Sequence, residues 1–149
     1  MAKQLVKCRA VAQPIGPYSL AVRSENLVFV SGTVGWRPDG SVPSDIREQC
    51  RQMYENIRQV LGSAGSSLED VVSTTTYLVN ASDYQALNEI RAQYFKNDPP
   101  ASAVVVVKEL VRPDLLVEVE AVAQVRPAPE RGIRSARRPA PKVPTRRRG

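Results

Sequence analysis

Between Ser44 and Leu61 the apolar residues Ile46, Cys50, Met53, Ile57, Val60 and Leu61 recur at i, i+4 and i+7. That is the stripe of a helix packed on one face. Asp45 followed by Glu48 suits a capping box at its start, and Gly62 stands where such a helix should stop. A second stripe, Tyr84, Leu87, Ile90 and Tyr94, predicts another helix capped by Ser82 or Asp83 and ended by Asn97 to Pro100. Elsewhere the period is two. From Leu115 to Val125, Val117, Val119, Ala121 and Ala123 share one side, and Glu118, Glu120, Val122 and Gln124 the other. Val71 to Val79 is rich in Val and Thr and reads as a strand. Ala103 to Val107 is a continuous apolar run, predicting a strand buried on both faces or lying at an interface. Before the first helix, Gln4 to Arg9 reads as an edge strand. Leu20 to Arg23 and Leu27 to Ser31 form a hairpin about Ser24-Glu25-Asn26. Gln13 to Tyr18 and Gly32 to Pro43 read as loops.

Strands, helix, strand, helix, strand, strand is the order of an α+β layer with two helices on one face of a single sheet. No third helix is available for the other face, and the run at Val104 to Val107 also needs a partner. Self-association meets both needs.

Composition changes this picture at the C-terminal end. The chain has 149 residues and a net charge of +6, but Arg126 to Gly149 holds nine of the 21 basic residues and one of the 15 acidic ones. The first 125 residues therefore carry a slight acidic excess. The end segment also has five of the 12 prolines and no aromatic residue. It buries too little surface to offset its ordering entropy, which predicts a domain over residues 1–125 and a disordered basic tail over 126–149. The tail's charge gives a nucleic acid or another acidic partner something to bind. No apolar run is long enough for a membrane span, and Met1 to Lys7 does not read as a signal peptide, so a cytoplasmic location is expected.

The chain has no histidine, which removes Ser-His-Asp and Cys-His mechanisms and every histidine-based metal site. Acid–base chemistry then falls to carboxylates, tyrosine, lysine, cysteine, backbone groups or water; neither a metal nor a cofactor is expected. Cys8 and Cys50 are too far apart in sequence to suggest a disulfide framework or zinc site; they read as buried small residues, with a reactive thiol as the alternative. Glu118 and Glu120 project from one strand face about 7 Å apart. They are either a solvated face, ion-pair partners of a neighbouring strand, or a general acid/base. Pro14 to Ser19 holds Tyr18 in a rigid loop, and Val30 to Gly35 places Ser31 and Gly32 at a strand end, where backbone N–H groups meet anionic or carbonyl oxygens.

These segments come together in a resemblance. GPYS, FVSGTVG, ENIRQVL, LEDVVSTTTYL, YQALNEIRAQYF, PPASAVVV and LVEVEAVA stand in the order found in the Rid (YjgF) family, over Met1 to about Arg126. The resemblance implies a chorismate-mutase-like α+β fold, with a six-stranded mixed sheet and two helices on one face. It also implies a homotrimer with three small-molecule clefts between subunits. Active members hydrolyse enamines and imines without a cofactor, releasing ammonia. By the same resemblance Glu118 holds and activates the water, and Tyr18, Ser31, Gly32, Asn88 and Ser102 line the cleft.

Ser102 is a departure. Deaminase members carry arginine in a Pro-Ala-Arg motif, where its fork binds the substrate carboxylate; here Pro100-Ala101 leads to Ser102. The exchange predicts weak activity on small 2-imino acids and a non-standard substrate, of the aminomuconate type or another. Lys108 and Arg112 are the nearby cations for a replacement. The alternatives are a non-catalytic trimer that binds a metabolite and regulates a partner, and a ribonuclease-like, nucleic-acid-associated protein acting through the tail.

Overall fold

The computed structural model describes residues 2–127. The tail expectation lies outside the described residues from position 128 onward. Eight elements follow in order: β1 (Gln4–Val6), β2 (Ala21–Ser24), β3 (Leu27–Val34), α1 (Ile46–Ser63), β4 (Val71–Leu78), α2 (Tyr84–Tyr94), β5 (Ala101–Val106) and β6 (Val117–Gln124). The six strands form one mixed sheet in the order β1-β2-β3-β6-β4-β5. Only β4 and β5 run parallel, joined through α2, and every other pair is antiparallel.

The alternation in β6 sets the two faces. Val117, Val119, Ala121 and Ala123 are buried beneath α1, against Met53, Ile57, Val60 and Leu61. Tyr54, also buried, packs on Tyr94 and Phe95 with ring centroids 5.1 and 5.7 Å away, locking α1 to the end of α2. Leu87 and Ile90 are buried as their stripe predicts, but Tyr84, placed on the same stripe, is half-exposed. Both cysteines are buried and free, and burial pushes the Cys50 thiol up to about 12, so it behaves as a small apolar residue.

Asp45 caps α1, its carboxylate accepting from the N–H groups of Arg47 and Glu48, but the predicted box is half made, since the Glu48 side chain accepts from Arg51. Gly62 does not stop the helix. It has open space around it and is simply tolerated; the chain turns at Gly65, whose φ is +76. Asp83 makes no capping bond, because a 3₁₀ turn over Ala81–Asp83 leads into α2 instead. The hairpin between β2 and β3 pairs Ser24 with Leu27, leaving a two-residue turn with Glu25 at φ 54, one residue shorter than expected. The first strand is shorter than Gln4 to Arg9, ending at Val6.

Two corrections bear on the site. The run at Ala103 to Val107 is not sandwiched within the chain: β5 is the outer strand, with Val105 43% and Val106 55% exposed. Of the two readings, burial on both faces fails for the single chain. The predicted loop at Gly32 is strand, since β3 continues to Val34. The interruption is a bulge. Val30 pairs with Ala121 and Thr33 with Val119, so Ser31 and Gly32 together oppose Glu120 alone.

Beyond β3 the chain is tied to α1 by two buried amides. Gln49 Nε2 donates to the carbonyls of Pro43 and Asp114, both at 2.8 Å, and its Oε1 accepts from Leu116 N–H at 2.9 Å. Asn56 Nδ2 donates to the carbonyls of Val34 and Trp36. Gly35 permits this approach, since a Cβ there would stand 2.7 Å from the Gln49 carbonyl oxygen.

Candidate functional site

The face of the sheet away from the helices is open. Phe29 on β3 is half-exposed there, alongside Val122, Glu118 and Glu120 of β6 and Tyr77 of β4. Glu120 is exposed and accepts a hydrogen bond from the Tyr77 hydroxyl at 3.2 Å. Its neighbour two residues earlier is different. The Glu118 side chain lies on the bulge, so close that a Cβ on Gly32 would fall 2.0 Å from Glu118 Oε1. Among the described residues no cation pairs with Glu118. Burial, and secondarily the charge of Glu120, raises its pKa above the ordinary carboxylate value. The two carboxylates of one strand have thus been given different environments: one is hydrogen-bonded and wet, the other half-buried, unpaired and easier to protonate.

Tyr18, Ser31 and Gly32 line one cleft beside this carboxylate, between the Pro14–Ser19 loop and β3. Ser31 fastens the two walls: its hydroxyl donates to the Ser19 carbonyl at 2.6 Å and its N–H to Leu20 at 3.0 Å. The Ser31 N–H is therefore committed within the chain. Tyr18 is 47% exposed at the mouth. Gly32→Ala moves the Glu118 carboxylate off the bulge, and the colliding atom is the end of a flexible side chain. The expected result is a large loss of activity with a melting temperature close to wild type, read by assay and thermal denaturation of the same sample.

Asn88 and Ser102 are elsewhere. They line a groove of about 450 Å³ at the other edge, with Arg91, Phe95 and Pro100. Ser102 pairs with Thr74, which in turn pairs with Ala121, placing it on the helix-covered face at the rim of β5. Glu118 points from the opposite face, and β4 lies between β5 and β6, adding about 10 Å sideways. The expected site residues therefore separate into two halves in one chain: Tyr18, Ser31 and Gly32, with Glu118 against Gly32, and elsewhere Asn88 with Ser102. Of the two cations suggested as replacements near Ser102, Arg112 is held by Asp114 through a forked pair, and Lys108 follows β5. The cation that does touch Ser102, Arg91, was legible only as a polar residue of a helix. Among the described residues there is no cluster able to hold a metal, and no helix is long and apolar enough to cross a membrane.

Residues 9–125 match the family model described as endoribonuclease L-PSP. A RutC family protein of Pyrococcus abyssi is 40% identical over 125 residues, covering 83% of this chain and 98% of its own. The chain belongs to the Rid (YjgF) family. Among other Rid relatives, the 3-aminoacrylate deaminase RutC of Acinetobacter baylyi is 35% identical over 84% of this chain and 100% of its own. A 2-iminobutanoate/2-iminopropanoate deaminase of Dermatophagoides farinae is 32% identical over 83% and 97%. Of solved structures, the Rid-family protein YyfA of Yersinia pestis superposes with a TM-score of 0.80 at 35% identity, covering 83% of this chain and all of that one. The six-stranded mixed sheet with two helices on one face is thus the YjgF-type fold.

Proposed function

We propose that this Rid protein is a hydrolytic deaminase of small enamines and imines, working as a homotrimer whose clefts join the two half-sites across subunits. The observation that carries the reading is the Glu118 carboxylate, half-buried and unpaired on the Gly32 bulge. A group raised toward neutrality by burial both accepts and returns a proton. The deaminase names of the relatives support the reaction class.

In the mechanism Glu118 holds a water against the C=N carbon. The water oxygen bonds to that carbon as its proton passes to Glu118, and Glu118 hands that proton to the nitrogen, giving a tetrahedral carbinolamine. Glu118 then takes the hydroxyl proton and delivers it to the nitrogen as the C–N bond breaks, so imine plus water becomes carbonyl compound plus ammonia. An enamine enters after tautomerising to the imine. Two features support a trimer: the open sheet face with Phe29 exposed, and the exposed β5 edge with Val105 and Val106. A second copy covers these surfaces and brings Asn88 and Ser102 to a neighbour's Glu118. We favour deamination over RNA cleavage because residues 1–125 hold more acidic than basic side chains, which opposes a polyanion.

The test is ammonia release from imines generated in situ, with light scattering on the same protein. Catalysed release by a trimer is expected. A stable monomer, or a trimer releasing no ammonia from any imine, would count against the reading; the second result leaves a metabolite-binding trimer.

A further inference from the structure

The arginines of α1 are spent on carboxylates: Arg47 pairs with Glu89, Arg51 with Glu48 and Arg58 with Glu55. Arg91, on α2, is not. Its Nη1 donates to Ser102 Oγ at 2.8 Å and its Nη2 to Asn88 Oδ1 at 2.5 Å. Both partners are neutral, and among the described residues no carboxylate lies within ion-pair distance of Arg91. The nearest acid in sequence along its own helix, Glu89, is engaged by Arg47 and Gln85.

A guanidinium has five N–H donors. Two are used here, and they fix the plane of the fork without neutralising it. The remaining N–H groups and the whole positive charge are left in the groove that Asn88 and Ser102 line. That is a prepared anion site: the rotamer entropy of a long side chain is already spent, and a planar fork matches a carboxylate in two parallel hydrogen bonds. Serine at position 102 has a defined part in this. It is small enough to leave the groove open, and its hydroxyl is the acceptor that aims Arg91.

We propose that Arg91, aimed by Ser102 and Asn88, binds the carboxylate of the substrate and makes this protein selective for anionic imines and enamines. The guanidinium that Ser102 cannot supply from the strand comes instead from the helix packed beside it. Weak activity on 2-imino acids is then no longer expected from Ser102 alone. The proposal rests on the deaminase reading for its substrate, but its binding test does not require turnover.

The experiment titrates the full-length protein with pyruvate, a small 2-oxo acid, and with pyruvamide, its uncharged analogue. Wild type should bind pyruvate saturably and more tightly than pyruvamide. Arg91→Met should weaken pyruvate about 10- to 100-fold, the range for a lost charged hydrogen-bonded fork, and leave pyruvamide unchanged. Ser102→Ala, which removes the acceptor that aims the guanidinium, should cost about fivefold for pyruvate. If Arg91→Met fails to fold, Arg91→Lys keeps the charge without the fork and should lose pyruvate affinity while sparing pyruvamide. Wild type that binds pyruvate no better than pyruvamide, or a folded Arg91 variant with pyruvate affinity intact, overturns the proposal. Failure of the deaminase reading looks different: no ammonia release from any imine, with discrimination between pyruvate and pyruvamide preserved.

Discussion

Glu118→Gln should abolish ammonia release, by at least about a hundredfold, while making the protein more stable at neutral pH. The chain has no histidine to take over the proton, and glutamine keeps the shape of the side chain on Gly32 without its basicity. The stability gain follows from the direction of the shift. Burial first, and the charge of Glu120 second, raise the folded-state pKa of Glu118 above its ordinary value. Between the unfolded and folded values the native state holds the extra proton, so stability falls as pH rises through that window. Below it both states are protonated and nothing is lost; above it the full cost is present. The melting temperatures of wild type and Glu118→Gln should therefore agree in acid and diverge toward neutrality, with the variant higher. The activity of wild type should fall on the acid side as Glu118 takes up its proton. Equal stability at every pH, or a variant that retains its rate, would show that this carboxylate is neither strained nor catalytic.

The second large effect is structural. Gln49→Ala should unfold or nearly unfold the domain. The side chain is fully buried and satisfies three backbone groups from two separate stretches: Pro43 in the approach to α1, and Asp114 and Leu116 in the loop before β6. Each orphaned group costs about 1–3 kcal/mol. The sum, about 3–9 kcal/mol, rivals the total stability of about 5–15 kcal/mol usual for a domain. Gln49→Glu keeps the acceptor but loses both donated bonds, so it should not rescue. Urea denaturation reads both. A midpoint within error of wild type for Gln49→Ala would mean that the loop before β6 is anchored by something else.

Gln49 also illustrates what the sequence conceals. The helical stripe from Ile46 to Leu61 is legible because apolar residues recur with the helix period, and that same search passes over a buried amide within it. Its partners are up to 67 residues away. The two faces of β6 were legible because alternation is local. The bulge at Ser31 and Gly32 was not, because it is defined by pairing with β6, about ninety residues later. Gly62 misled for a simpler reason: glycine in an exposed helix interior costs about 1 kcal/mol and need not end the helix. The family motifs named Tyr18, Ser31, Gly32, Asn88, Glu118 and the departure at Ser102. They do not reveal that Glu118 and Ser102 fall on opposite faces of one sheet, nor that Arg91, eleven positions before Ser102, leans across to it.

That separation is the central claim, and subunit mixing tests it most directly. Glu118→Gln removes the first half-site, and Asn88→Ala with Arg91→Met empties the second. Each variant alone should release almost no ammonia. Co-expressed with different affinity tags and purified through both, they should form mixed trimers in which one cleft takes an intact Glu118 from one chain and an intact groove from its neighbour. A ring of three that contains both chains has one cleft with both halves intact, so the doubly purified trimers should show about a third of the wild-type rate per subunit. Mixed trimers carrying both tags yet no more active than their parents would place the two half-sites in separate reactions and contradict the account.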